Sequence, residues 1–172
     1  MKSVLKFITV SISALILSLV IIFLTAGNTF AVGLSNQEVG RLVNQQRIEN
    51  YLPTLKFNQI LNMAAEAKLR DMVTKGYWAH NSPTNQTPWS FILQSGYRYV
   101  YAGENLAMSV GSETDAVSRW MGSEGHKKNI LNIKYQETGI AVYEGVYMGR
   151  PTTLIVQLFA SKTRVNQIAL VN

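Results

Sequence analysis

No cysteine occurs in the 172 residues. That excludes disulfides, a thiolate metal site, a cysteine nucleophile and a lipid-modified cysteine at a leader junction. Histidine is nearly absent as well, with two residues, His80 and His126. The short catalytic signatures are missing too: the chain has no GxSxG elbow, no HExxH helix, no Walker A loop and no dinucleotide-binding glycine fingerprint. It has no dense run of Lys and Arg and no nucleic-acid-binding motif, so no nucleic-acid partner is expected. Beyond the N-terminus no apolar segment is long enough to span a membrane.

The chain opens MKSVLKFITVSISALILSLVIIFLTAGNTFAVG. Lys2 and Lys6 precede an uncharged run over residues 7–26, the pattern of an export signal. A spanning helix needs about 20 residues, so the run suits an uncleaved anchor as well as a cleaved peptide with Thr29-Phe30-Ala31 as its processing site. Residues 1–32 therefore read as a signal peptide or an N-terminal membrane anchor, in contact with the membrane at least during export. Basic residues ahead of the run hold the N-terminus inside and send the rest across. The expected location is extracytoplasmic, either secreted or anchored by the N-terminal helix. Residues 33–172 form one domain, large enough for its own core. Without the two leader lysines the net charge falls from +6 to +4, fourteen cations against ten carboxylates. This mild basic balance suits anionic wall polymers or lipid head groups, and equally plain solubility.

Helical signals come first. Ser35 and Glu38 have capping-box spacing, and Leu52-Pro53 closes that helix. Asn58 caps a second helix that runs to Lys75 and stops at Gly76; Leu61, Ala65, Leu69 and Met72 are its core stripe. Thr87-Pro88 opens a short third helix, and residues 112–121 form a fourth with Ala116, Val117 and Trp120 inward. Strand signals follow in YRYVYAGENLA, TGIAVYEG and TTLIVQLFAS, with EGVYMGRP as a hairpin or long turn. Helices come before strands without βαβ alternation, so the expectation is an α+β domain with an antiparallel sheet covered by helices.

Three polar clusters interrupt these patterns: WAHNSP with His80, GENLA with Glu104 and Asn105, and SEGHKKNIL with Glu124 and His126. Imidazole nitrogens and carboxylate oxygens are ligands for a borderline cation such as zinc, and the same groups do acid–base work when a pKa is tuned. Each residue also has a purely structural role open to it. His126 beside Gly125 can cap a turn, His80 can bond the turn backbone, and Glu104 can satisfy amides in a bulge. Gln157 reads as a buried amide bonded to neighbouring backbone, and Tyr97, Tyr99 and Tyr101 as sheet packing. Ser123, three residues before His126, is weak as a nucleophile, because triads are assembled in space.

Taken in order, the clusters resemble the CAP superfamily of cysteine-rich secretory proteins, antigen 5 and pathogenesis-related 1 proteins, also called the SCP domain. The likeness is to its short, cysteine-free bacterial YkwD-like branch and covers about residues 36–161. It is carried by RLVNQQR, LPTLKFNQILNMAAEAKLRDM, YWAHNSP, YAGENLA, WMGSEGHKKNILN, TGIAVY and IVQLF. Ala141 and Ile155 stand where many relatives have glycine and tryptophan. The resemblance implies a three-layer α-β-α sandwich and a central cleft where His80, Glu104 and His126 converge. It implies a metal set of His80 and His126 with Glu104 as contributor. Glu124 stands one residue beyond the position where several eukaryotic members carry a further glutamate, and where the bacterial pattern has proline.

Three functions are open at this point. The first is a non-enzymatic extracellular binding module, with a divalent cation such as zinc in the cleft and a lipid, cell-wall glycan or extracellular protein as ligand. The second is a metal-assisted hydrolase of peptide or cell-wall polymers, with His80 or His126 activating water and Glu104 as acid–base. In the third, the polar residues only knit the loops together. The resemblance and the missing nucleophile favour the first.

Overall fold

A computed structural model describes residues 33–162. The leader, its processing site and the tail over residues 163–172 lie outside the described residues. The elements are α1 (Asn36–Glu49), β1 (Lys56–Phe57), α2 (Gln59–Lys75), α3 (Pro88–Gln94), β2 (Tyr101–Met108), α4 (Glu113–Met121), α5 (Glu124–Ile130), β3 (Glu137–Tyr147) and β4 (Arg150–Ser161).

The helix starts fall where the caps predict. Ser35 Oγ accepts from the Glu38 amide at 3.3 Å, Asn58 Oδ1 from Ile60 and Leu61, and Ser112 Oγ from Asp115 at 3.1 Å. The reciprocal half of the first capping box is absent, because the Glu38 carboxylate turns to Arg41 at 2.7 Å instead. One helix was not legible: α5 covers Glu124–Ile130, so His126 sits on a helix and not in a turn. The β2 strand begins at Tyr101, four residues later than its tyrosines suggest. Tyr97 is fully buried ahead of it and donates its hydroxyl to Glu137.

The sheet order is β1-β3-β4-β2. The three long strands are antiparallel, and the two-residue β1 adds a parallel pairing at one edge. Central β4 alternates between two cores. Leu154, Val156, Leu158 and Ala160 face α2, with Leu61, Ala64, Ala65, Leu69 and Met72. Ile155 and Phe159 face α1, α4 and α5, with Val39, Val43, Val117, Trp120 and Ile130. A strand buried on both faces reads as a nearly unbroken apolar run, as LIVQLFA does. The result is the expected α+β sandwich, with helices on both sides of the sheet. Ala141 and Ile155 are buried, one in each core.

Helix α2 lies directly on β3. A Cβ at Gly139 would stand 2.1 Å from the Leu61 carbonyl carbon and 2.3 Å from the Asn62 nitrogen, so this crossing needs a glycine. On the other side, the Arg47 guanidinium is wholly buried and donates to carbonyls of Pro53, Ile130, Asn132 and Tyr135. It ties α1 to the end of α5 and to the loop that enters β3.

Candidate functional site

Strand β2 lies at the edge of the sheet, so alternate carbonyls turn away from β4. Side chains fill the places a further strand would take. Tyr135 Oη donates to Ala102 O at 2.9 Å, Asn129 Nδ2 to Glu104 O at 3.0 Å and Trp120 Nε1 to Leu106 O at 2.9 Å. The edge is thereby closed to another strand and becomes a fixed rim between two helical layers.

Glu104 stands midway along that rim. It shares a face with Leu106, on the side of α2, while Asn105 points to the side of α5. The Glu104 side chain is 1% exposed and that of His80 60%, and His80 Nδ1 meets Glu104 Oε2 at 2.6 Å. Glu104 Oε1 is buried and has no hydrogen-bond partner among the described residues. Burial pushes the Glu104 carboxyl above its ordinary range, against the pull of His80 and Lys68. The hydrogen bond to Glu104 raises the pKa of His80. The outer face of the His80 imidazole is solvated.

Lys68 holds the loop that carries His80. It is fully buried on α2, and its ammonium donates to Tyr77 Oη (3.1 Å), Ala79 O (3.0 Å) and His80 O (2.7 Å). Burial lowers its pKa, while the charges of Glu104 and Asp71 oppose that shift. Tyr77 in turn donates to Asp71 at 2.6 Å. Two of these three contacts go to backbone carbonyls and fix the loop on which His80 is mounted.

His126 arrives from the opposite layer. Asn129 Nδ2 also donates to Asn105 Oδ1 at 2.9 Å, and Asn105 Nδ2 donates to His126 O at 3.2 Å. This asparagine clamp seats α5 on β2. His126 Nδ1 contacts Ser123 Oγ at 3.0 Å. Burial lowers the pKa of His126, and the charge of His80 lowers it further, so the two rings lie within electrostatic reach of each other.

The structure thus joins His80 and Glu104 directly and brings His126 to the same rim. Glu124 is exposed on the first turn of α5, and its side chain makes no hydrogen bond or ion pair among the described residues. Asn129 and Lys68 went unnoticed in the sequence. Asn129 was visible inside HKKNIL, but a lone lysine in a helix gives no sign that it is buried. Gln157 is buried, yet its amide donates to the Thr138 hydroxyl at 3.2 Å instead of to backbone, and its Oε1 has no partner among the described residues.

Two imidazoles and a carboxylate have the chemistry of a zinc site. Among the described residues, however, no group of three or more His, Asp or Glu side chains is arranged to hold a metal ion. As they stand these residues do not form a preformed metal centre. A hydrolytic nucleophile fares no better. Among the described residues no third side chain is hydrogen-bonded to the His126 ring to orient it, and Glu104 is engaged with His80.

The model of the cysteine-rich secretory protein family (CAP) matches residues 41–159. The uncharacterized protein YkwD of Bacillus subtilis is 36% identical over 114 residues, 66% of this chain and 44% of that protein. The uncharacterized membrane protein YlbC of the same organism is 28% identical over 113 residues, 66% of this chain and 33% of that protein. The chain therefore spans less than half the length of these relatives. Among solved structures, an extracellular SCP-domain protein from Bacillus anthracis superposes with a TM-score of 0.64 at 31% identity, covering 73% of this chain and 40% of that one. An outer surface protein of Borrelia burgdorferi superposes with a TM-score of 0.65 at 18% identity, over 74% of this chain and 92% of that one, and shows the fold alone.

Proposed function

The chain belongs to the CAP family of cysteine-rich secretory proteins, and on that premise we propose that it is an extracytoplasmic binding module whose ligand seats on Glu104, His80 and His126. The observation that carries this reading is Glu104 Oε1, the second oxygen of the carboxylate that His80 meets, which is buried and has no hydrogen-bond partner among the described residues. A buried acceptor without a donor costs about 1–3 kcal/mol, and a ligand that supplies the donor recovers that energy. The similar SCP-domain protein of Bacillus anthracis is extracellular, which supports the location.

The chemistry selects a ligand with a hydroxyl or amide hydrogen for Glu104 Oε1 and an acceptor for the raised-pKa His80. A cell-wall glycan carries both. A divalent cation such as zinc is the second ligand, since two imidazoles and a carboxylate match it in donor type although the three are not arranged as a preformed site. Both readings are non-enzymatic. They differ from the hydrolase reading in needing no oriented nucleophile.

Calorimetric titration of residues 33–172 with wall-glycan fragments, and separately with zinc, tests the proposal. Both cores lie within residues 39–160, so this piece carries its own fold. Wild type binds one equivalent of glycan or of zinc, while Glu104→Gln and the His80→Ala/His126→Ala double variant stay folded and bind neither. Equal binding by wild type and variants, or binding by none, overturns it. Glycan consumed during the titration would establish the hydrolase instead.

A further inference from the structure

The two edges of the sheet are finished differently. On β2, side chains take up the outward carbonyls. On β3, on the other side of β4, the outward groups belong to the even-numbered residues. Thr138 O accepts from the Asn58 amide at 2.9 Å, beside the short β1. Past β1, Ile140 N donates to Asn62 Oδ1 at 2.8 Å and Ile140 O accepts from Asn36 Nδ2 at 3.2 Å. Near the hairpin, Val146 O accepts from Tyr143 Oη at 2.9 Å. Between these capped ends lie Val142 and Glu144. Strand alternation turns their amides and carbonyls outward as well. Among the described residues these backbone groups have no partner.

Val142 also lines a groove of about 490 Å³. Leu34 and Asn36 form one wall, and Leu69 and Val73 of α2 form the other. The Leu34 amide donates to the Glu144 carboxylate, which fixes the first wall beside the open groups. Glu66 and Arg70 also line the groove; both are exposed, and neither makes an ion pair among the described residues. One charge of each sign selects neither a polyanion nor a polycation. The open edge asks for donors and acceptors alternating at the spacing of an extended backbone, which a lipid, a glycan or a metal ion does not carry. A second copy does not suit it either. Paired strands lie about 4.8 Å apart, and a second β3, recessed between the same two walls, meets those walls before it reaches that distance. A single extended peptide fits between them.

We propose that β3 takes up an extended peptide as an added strand, paired with the amides and carbonyls of Val142 and Glu144. The backbone hydrogen bonds supply the affinity, and alternate side chains of the peptide supply the selectivity. Those facing α2 meet Leu69 and Val73, so the peptide carries an apolar residue at every second position. This edge is separated from the Glu104 rim by β4, and binding here is independent of that site.

The test uses residues 33–172 and an acetylated pentapeptide amide of alternating valine and threonine. Amide hydrogen exchange is followed by NMR. The Val142 and Glu144 amides are expected to exchange freely without peptide and to slow about tenfold or more at saturation, while the Ile140 amide, already bonded to Asn62, is unchanged. The same peptide with every amide N-methylated keeps its side chains and loses its donors. It is expected to bind about tenfold or more weakly, from two lost hydrogen bonds. Unslowed exchange at both amides in millimolar peptide, or equal binding by the methylated peptide, overturns the proposal. Slowing that appears without peptide and grows with protein concentration assigns the edge to a second copy and overturns it too. Glu104→Gln leaves the peptide response unchanged, so failure of the cleft reading is seen separately.

Discussion

Replacing Arg47 with methionine is the most informative single perturbation of this fold. The guanidinium makes contacts of 2.7 Å to Pro53 O, 2.7 and 3.0 Å to Ile130 O and Asn132 O, and 3.3 Å to Tyr135 O, with no carboxylate partner among the described residues. Burial lowers its pKa from 12.5 to about 10, which at 1.36 kcal/mol per unit sets about 3 kcal/mol against the charge. Hydrogen bonds from a charged donor return about 1.5–3 kcal/mol each, so four of them outweigh that cost. Methionine keeps the apolar stem but removes the charge and every donor. The carbonyls of Ile130 and Tyr135 are then buried without a partner, at about 1–3 kcal/mol each. The net expectation is a loss of about 3–5 kcal/mol. Urea unfolding of residues 33–172 measures it, with Arg47→Lys falling between because one ammonium cannot reach three separate segments. A loss below about 1 kcal/mol would refute the reasoning, since ordinary surface changes lie in that range.

The other predictions concern the rim and the layers. Glu104→Gln removes the partner that raises His80, so His80 should titrate at lower pH than in wild type when followed by NMR. The sign follows from linkage: the stabilisation from protonated His80 is full below 6.5 and is lost as pH rises through the raised folded value, and the variant lacks that loss. Gly139→Ala drives a methyl into the α2 backbone, and its unfolding midpoint should fall by an amount matching about 3 kcal/mol. Trp120→Phe leaves Leu106 O without its donor and should cost about 1–3 kcal/mol in the same urea assay.

Local chemistry explains what the sequence revealed. Ser35, Asn58 and Ser112 announce helix starts because their side chains cap amides a few residues away, a contact that needs nothing from the rest of the chain. His80, Glu104 and His126 stood out because polar residues interrupt apolar patterns. Helix α5 was illegible for the opposite reason. Seven residues containing Gly125 are too few to be helical on their own, and the segment is held by Asn129, Asn105 and the Arg47 contact to Ile130 O, all tertiary. The two residues of β1 form a strand only because β3 lies beside them. The hairpin turn was visible as a region, but strand pairing runs through Val146 and Tyr147 and leaves only two residues to turn. Lys68 looked like a surface lysine because its partners, the carbonyls of Ala79 and His80, belong to a loop that folds back over it.

The central claim is that residues from both helical layers form one binding site on the rim of β2. Two histidines give two resolvable imidazole signals, so NMR of residues 33–172 titrated with wall-glycan fragments, and then with zinc, tests it directly. The account predicts that for at least one of these ligands His80 and His126 shift together along one saturation curve, and that Glu104→Gln abolishes the shift in both. Shifts in one ring alone, separate curves for the two rings, or an unchanged response in Glu104→Gln would contradict it.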